Sequence, residues 1–337
     1  MSAATLTAGI LGAALLFYAL TGGADFGGGV FDLLASGPRK AAQRRLIAHA
    51  IGPIWEANHV WLILVVVLLF VGFPGVYAAL SVHLHVPLTL MLVGVVLRGA
   101  AFVFRAYDPQ PGRGSIRWQR VFAITSALTP LALGVTLGAA ASGQLRAAAP
   151  PTLFALWTRP FPLAIGALVL VLFALLAAVY LTVEADEPAL KDDFRRRALA
   201  CTFLLGALAW LGALLSEEGA PRLHEVLLRG SGALVLQGLC ALTAAALVAA
   251  LLGRRYQLAR LVAGALTVLV VGGFLNAQRP YVLFPEFPIE QAAAAPPVLR
   301  AMLLTLAVGS ALLVPALFYL FRIFKHERAE RARHEPS

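Results

Sequence analysis

Charged residues are scarce in this chain of 337 residues: only 13% are Asp, Glu, Lys or Arg, whereas soluble domains carry about 25%. Hydrophobic residues make up 60%, which is well above the usual share. This composition excludes an intrinsically disordered chain, and it excludes a cytosolic enzyme that carries only a membrane tail.

Cysteine is almost missing as well, since the chain has only Cys201 and Cys240, both in or beside apolar stretches. A disulfide-stapled secreted domain is therefore excluded, and we expect two inert buried thiols. No C-x-x-C-H haem attachment, zinc-type spacing, Walker loop or Rossmann fingerprint is present. An ATP-driven or NAD-linked role would need another chain.

Long apolar runs are what the chain does have, and each is long enough to cross a bilayer as a helix. They lie at about 5–23, 51–71, 76–97, 119–141, 160–183, 198–215, 232–252, 258–277 and 299–323. Alternation with a period of two is absent, so a membrane β-barrel is not expected. The sequence predicts an all-α integral membrane protein, a single polytopic domain over residues 1–337 with nine transmembrane helices.

The basic residues indicate orientation. The formal net charge of +10 could suggest nucleic acid, but 21 of the 27 Lys and Arg residues fall in alternate loops and the C-terminal tail. Cytoplasmic loops carry this excess in multi-pass proteins. We therefore expect the N-terminus outside, the C-terminus in the cytoplasm, and no nucleic-acid partner. The mixed-charge segment 184–197 is expected to be a solvated cytoplasmic loop.

Two acidic residues belong to the first two predicted helices, Asp25 just past the first apolar run and Glu56 within the second. Asp25 follows Thr21-Gly22-Gly23-Ala24, and Glu56 lies in Gly52-Pro-Ile-Trp-Glu-Ala-Asn-His-Val-Trp61. Ionisable groups within a membrane are costly and often mark ion or substrate paths. A helical rise of 1.5 Å per residue puts both carboxyl groups roughly 15 Å from the cytoplasmic surface. If the two helices pack antiparallel, the acids lie at similar depth and could face each other.

Glu56 and His59 are three residues apart and share one face of a helix. A buried acid can hold or release a proton near neutral pH, and a histidine can relay it, so proton transfer is one interpretation. The other is structural: a neutral Glu56 holds two helices in register, and His59 bonds Asn58 or a backbone carbonyl. Glu56-x-x-His59 is also half of a di-iron motif, but no second copy exists, so no metal site is expected. Trp55 and Trp61 are expected to pack around this group.

Three more polar side chains belong to the predicted third span. His83 and His85 are candidate haem ligands, although a spacing of two points them in different directions, and buried hydrogen-bonded histidines are more common. Arg98 is either the counter-charge of Asp25 or Glu56, or it extends to the lipid headgroups, which we favour.

Together, the segment Thr21-Gly-Gly-Ala-Asp25-Phe-Gly-Gly-Gly and the Trp55-Glu56-Ala-Asn58-His59-Val-Trp61 motif resemble subunit II of cytochrome bd-type quinol oxidases, nearest to the cyanide-insensitive branch. The resemblance implies two four-helix bundles plus one peripheral helix in a bacterial inner membrane. It also implies a partner, subunit I, which carries two b haems, a d haem or b-type substitute, and the site for quinol (ubiquinol or menaquinol). A small single-span subunit and a bound quinone or lipid are possible further partners.

The resemblance further implies that the complex reduces dioxygen to water with protons from the cytoplasm, and that subunit II forms part of their route. Glu56 matches the acid of the Trp-acid motif, and Asp25 matches the last acid of the family's Asp-Gly-Phe-Asp segment, whose first acid is Gly22 here. His59 completes the expected proton pathway, with Trp55, Asn58 and Arg98 in support. No haem or other cofactor is expected on this chain, and no residue of it is expected to be catalytic.

Two other functions remain open. A proton-coupled secondary transporter could use Asp25 and Glu56 as its coupling pair, although such transporters usually repeat their motifs in two halves and no second copy is found here. An assembly scaffold without any role in proton transfer is the third alternative.

Overall fold

The structure is a computed structural model that describes residues 2–51, 55–106, 113–145 and 154–334. Within these ranges it describes the side chains except those of residues 51, 55–57, 105, 106, 113–115, 314, 317, 318 and 320–334.

Almost all of the described chain is helical. The helices are α1 (Ala3–Leu33), α2 (Lys40–Ile51), α3 (Trp55–Val67), α4 (Pro74–His83), α5 (His85–Ala106), α6 (Arg113–Ala141), α7 (Pro160–Glu184), α8 (Pro188–Gly219), α9 (Pro221–His224), α10 (Ala233–Leu252), α11 (Tyr256–Gln278), α12 (Ile289–Ala292) and α13 (Pro296–His334). Wider π-helical turns, Leu68–Gly72 and Glu225–Arg229, follow α3 and α9. Strands β1 (Tyr281–Leu283) and β2 (Phe287–Pro288) form a small antiparallel hairpin before α12.

In the described part of the chain, eight helices are long and apolar enough to cross a membrane: α1, α5, α6, α7, α8, α10, α11 and the first part of α13. A ninth candidate is a pair of helical segments, Asn58–Gly72 and Pro74–His83, with a bend of 115° between them. The number and length of these helices are those of a multi-pass, largely helical membrane protein.

The predicted third span, 76–97, is wrong in its bounds. The chain bends at Phe73 because Pro74 opens a new helix, and α4 ends at His83 before α5 begins at His85. The helix that can cross the membrane is therefore His85–Phe104. His83 and His85 lie at the junction of two helices and not inside a span.

The expected loop at 184–197 is also largely helical. Pro188 lies in the first turn of α8, where its missing N–H costs nothing, and the charged residues from Lys191 onward occupy the next two turns. A membrane helix thus extends into a polar region with its charged residues on a defined surface.

One end of the helices gathers several basic segments, and we call it the basic end. Arg39, after α1, donates two hydrogen bonds to the Asp193 carboxylate in α8, at 2.8 and 2.6 Å. Arg254, between α10 and α11, donates to the Asp192 carboxylate at 3.1 Å. Three connections that are distant in sequence are thereby held side by side.

The opposite end is tied together by different contacts. The hydroxyl groups of Ser2 and Thr5, at the start of α1, donate to Glu290 of α12 at 2.5 and 2.8 Å. Arg222 of α9 donates to the backbone carbonyl of Arg279 at 2.7 Å. The start of α1 and the segments that flank α10 and α11 therefore meet at this end.

Helix α7 lies in the centre of the packing, with a continuous buried run at 172–179. Helix α1 crosses it closely at Gly27, where an added Cβ would lie 2.0 Å from the Phe173 carbonyl oxygen. At Gly29 the same atom would lie 2.1 Å from Ser126 Oγ of α6. Glycine is thus required at both positions for α1 to reach α6 and α7.

Candidate functional site

Asp25 of α1 accepts a hydrogen bond from the side-chain amide of Asn58 in α3. The same amide nitrogen lies 3.4 Å from the backbone carbonyl oxygen of Thr21. One side chain of α3 therefore holds the acid of α1 and the backbone one turn earlier. The helix that carries Glu56 and His59 is fixed beside Asp25, as the sequence predicts for two packed helices.

Arg98 of α5 is buried at 1% relative exposure in the same region. Its guanidinium carbon lies 4.7 Å from the centre of the Phe26 ring and 5.2 Å from that of Phe122. Its Nε donates to Ser126 Oγ at 3.1 Å. The expectation that Arg98 extends to the headgroups is therefore wrong, because two aromatic faces and a hydroxyl stabilise the cation inside the bundle.

The positive charge of Arg98 interacts electrostatically with Asp25, Tyr18 and His59. No ion pair within 4.0 Å joins Arg98 to Asp25 among the described side chains. The Tyr18 hydroxyl and Arg98 Nη2 are buried and have no hydrogen-bond partner within the described part of the molecule. Buried polar atoms of this kind often bind internal water, so the space around Asp25 suits a hydrated site.

Aromatic rings form one wall of the site. The His59 ring lies 6.2 Å from that of Tyr18 and 6.0 Å from that of Phe26, measured between ring centres. Phe26 in turn stacks on Phe173 of α7. We call Tyr18, Asp25, Asn58, His59, Arg98 and Ser126 the Asp25 cluster. It joins α1, α3, α5 and α6.

A further acid, Asp32, was missed in the sequence analysis. It is fully buried near the basic end, 3.8 Å from Arg44 Nε, and accepts a hydrogen bond from Gln119 at 3.2 Å. Tyr18, Asp25 and Asp32 are seven residues apart along α1, and this spacing keeps them on one helix face. That periodicity was the available signal, but the first span was predicted to end at residue 23.

The other candidate residues are placed as follows. Glu56 and Trp55 open α3, and their side chains lie outside the described residues. His83 is buried, whereas His85 is exposed and its Nδ1 lies 2.9 Å from the Val82 carbonyl oxygen. Trp61 stacks on Phe17 with ring centres 4.8 Å apart, as expected for a packing role.

Metal-binding potential is limited in the described residues, which contain no group of three or more His, Cys, Asp or Glu side chains that could hold an ion. A cavity of about 520 Å³ lies beyond Tyr18, between α1, α7, α8 and α11. Its walls are almost entirely apolar, with Trp210 and Phe274 among them. This cavity adjoins the Asp25 cluster at Tyr18, but few polar groups line it that could bind the water needed to carry a proton.

Comparison with known proteins identifies the family. A family model described as cytochrome bd terminal oxidase subunit II matches residues 3–324. The chain belongs to this family. Asp25 and Asn58, which lie in the two segments that carry the resemblance, join α1 to α3 in the structure.

Individual relatives give the same result. The chain is 32% identical over 129 residues to cytochrome bd-I ubiquinol oxidase subunit 2 of Escherichia coli (strain K12), a stretch that covers 38% of this chain and 33% of the relative. It is 20% identical over 329 residues to a putative cytochrome bd menaquinol oxidase subunit II of Bacillus subtilis (strain 168), with 93% of each covered. The fold matches a chain of bd oxidase from Geobacillus thermodenitrificans with a TM-score of 0.80 and 21% identity, covering 96% of this chain and 99% of that one.

Proposed function

We propose that this chain is the subunit II of a bacterial quinol oxidase and that its Asp25 cluster belongs to the route by which protons reach the site of oxygen reduction. Family membership supports the oxidase assignment, and it argues against a secondary transporter that couples through Asp25 and Glu56. The observation that carries the role in proton transfer is the hydrogen bond from Asn58 to Asp25, which places a partly buried acid against the helix that carries Glu56 and His59.

The partner in this proposal is a haem-bearing subunit I. Its haems, two of b type and one of d or b type, would supply electron transfer from ubiquinol or menaquinol and the reduction of oxygen. In this proposal the haems belong to subunit I, and this chain would hold none. A small single-span subunit and a bound quinone or lipid would complete the assembly.

The proposed topology has nine spans arranged as two four-helix bundles and a peripheral helix, with the basic end in the cytoplasm. The bent pair Asn58–Gly72 with Pro74–His83 would supply the ninth span, with α4 near the outer surface. The ion pairs among three basic connections at one end support this orientation, because cytoplasmic loops carry the excess of Lys and Arg in bacterial inner membranes.

The proposed route begins at the basic end and follows one face of α1. Asp32 and Asp25 are seven residues apart, about 10 Å along the helix axis, so internal water would have to bridge them. Glu56 and His59 lie on the neighbouring helix and would pass the proton toward subunit I. Arg98 would supply a buried positive charge that interacts with Asp25.

The apolar cavity beyond Tyr18 would close the route on its other side. A proton needs water or a titratable group at each step, and the walls of this cavity are almost all hydrocarbon. Protons taken up from the cytoplasm would therefore be directed sideways to the partner and would not leak across the membrane.

The test is the turnover of the complete oxidase with Asp25→Asn or Glu56→Gln. Each change keeps the size of the side chain and removes its titratable proton, so we expect oxygen consumption with quinol to fall roughly tenfold or more. The haem spectrum and the amount of assembled complex should stay unchanged. Glu217→Gln, at an exposed acid of α8, is the matched control and should keep full activity. If both variants assemble and keep full turnover, the chain has no role in proton transfer and acts only as a scaffold.

A further inference from the structure

A second polar site lies at the basic end, away from the Asp25 cluster. A cavity of about 390 Å³ opens where α7 ends, α8 begins and α10 turns into α11. Three of the residues that line it are cations: Lys191, Arg254 and Arg255. Thr182 and Tyr256 add hydroxyl groups, and none of the described residues that line the cavity is acidic.

The local fold concentrates this charge. The link between α10 and α11 is only three residues long, and Arg254 adopts a left-handed backbone with φ of 56° so that the chain reverses direction there. Asp192 of α8 accepts a hydrogen bond from Arg254 and fixes its guanidinium group. Lys191 and Arg255 have no acidic partner within 4.0 Å among the described side chains. The cavity therefore keeps two uncompensated positive charges.

The start of α11 adds to this potential. The helix runs for 23 residues from Tyr256, its cap residue Arg255 makes no side-chain hydrogen bond to its first turn, and Tyr256 and Gln257 line the cavity. The free N–H groups and the positive end of the helix dipole favour an anion at this position. Cations from two connections and a helix N-terminus thus face one space.

The surroundings identify what kind of anion fits. Large apolar side chains are exposed close by in the sequence: Leu258, which lines the cavity, is 44% exposed, and Leu252 and Leu261, at the end of α10 and one turn further along α11, are 60% and 72% exposed. A soluble anion would make no favourable contact with these apolar side chains, whereas the acyl chains of a lipid would cover them. Basic pockets between transmembrane helices at a cytoplasmic surface suit anionic lipid headgroups.

We propose that this cavity binds the phosphate of an anionic phospholipid, with Lys191, Arg254 and Arg255 around the headgroup and Leu258 and Leu261 along an acyl chain. A lipid in this place would join the α7–α8 connection to the α10–α11 hairpin. It would also neutralise charge that otherwise repels within the cavity.

The test uses the complete oxidase complex in a neutral detergent, titrated with phosphatidylglycerol or with phosphatidylcholine of the same acyl chains, and counts bound lipids by native mass spectrometry. We expect one tight phosphatidylglycerol site that phosphatidylcholine does not fill. Removing both free cations in the Lys191→Gln/Arg255→Gln variant should weaken this site about thirtyfold, since each basic residue near an anionic lipid contributes about fivefold in affinity.

Arg196→Gln is the matched control, because Arg196 is an exposed cation of the same helix that does not line the cavity. It should retain the tight site, and Arg255→Gln alone should lose about fivefold. Equal binding of the two lipids to the unmodified complex would overturn the proposal, as would an unchanged site in the double variant. Displacement by millimolar inorganic phosphate would show a site for soluble anions instead. Lipid counts do not depend on turnover, so this outcome is separate from the proton route.

Discussion

Asn58 of α3 donates a hydrogen bond to the carboxylate of Asp25 in α1, and this contact joins the two helices that carry Asp25 and His59. Asn58→Leu keeps the volume of the side chain and removes the donor. Hydrogen bonds to charged groups contribute about 1.5–3 kcal/mol, so the free energy of unfolding should fall by about that amount. Thermal unfolding of the complete complex measures the loss, and oxygen consumption should fall with it. Gln291→Leu, which removes an exposed amide of α12, should change neither.

Arg98 provides the second prediction, because lysine and arginine differ in how they stack. Arg98→Lys keeps the positive charge but loses the planar group between Phe26 and Phe122, and it loses the Nε bond to Ser126. We expect the variant to unfold with about 1–3 kcal/mol less stability. Arg229→Lys, at an exposed site, should stay close to the parent protein. If lysine is tolerated equally well at both positions, Arg98 is not held between the rings.

The sequence was informative where polar residues interrupt apolar runs. The motif around Asn58 and the acid at Asp25 predicted two packed helices, and the structure joins them at these residues. It was uninformative where no polar residue marks a change of direction. The stretch from Val60 to Val82 carries no charge. Its Pro74-Gly75 pair separates the second and third apolar runs, but no residue in it predicts that the helix after Pro74 ends at His83.

Burial of Arg98 could not be predicted for a related reason. An arginine at the end of an apolar run has the same local sequence whether it faces lipid headgroups or another helix. Only the position of α6, which brings Phe122 and Ser126 to the guanidinium group, distinguishes the two. Asp32 was missed because α1 continues ten residues beyond its predicted end, through glycines that a helix does not usually favour.

Those glycines give the third prediction. Gly27→Ala would place a methyl group 2.0 Å from the Phe173 carbonyl oxygen, a backbone atom that cannot rotate away. Helices α1 and α7 would have to separate, at a cost of about 1–3 kcal/mol. Gly9→Ala is the control within the same helix, because no described atom lies within 4 Å of its added Cβ, and it should be neutral or slightly stabilising. Thermal unfolding distinguishes the two, and equal midpoints would contradict the close crossing of α1 and α7.

The last prediction concerns pH at the end opposite the basic end. Hydrogen bonds from the hydroxyl groups of Ser2 and Thr5 hold the pKa of Glu290 below its ordinary value. Since the pKa is lower in the folded state, this contact stabilises the protein fully above the unfolded pKa of about 4.3 and is lost as the pH falls through the folded one.

Glu290→Ala should therefore lower the unfolding midpoint of the complex at neutral pH, and the difference from the parent protein should shrink as the pH drops below about 4. Glu225→Ala is the control, because it removes an exposed acid from the same end and should give no such difference. If the difference in unfolding midpoint between Glu290→Ala and the parent is equally large at all pH values, the carboxylate does not anchor α1. If that difference grows as the pH falls, folding must raise the pKa of Glu290, and Glu290 must form its contacts in the protonated state.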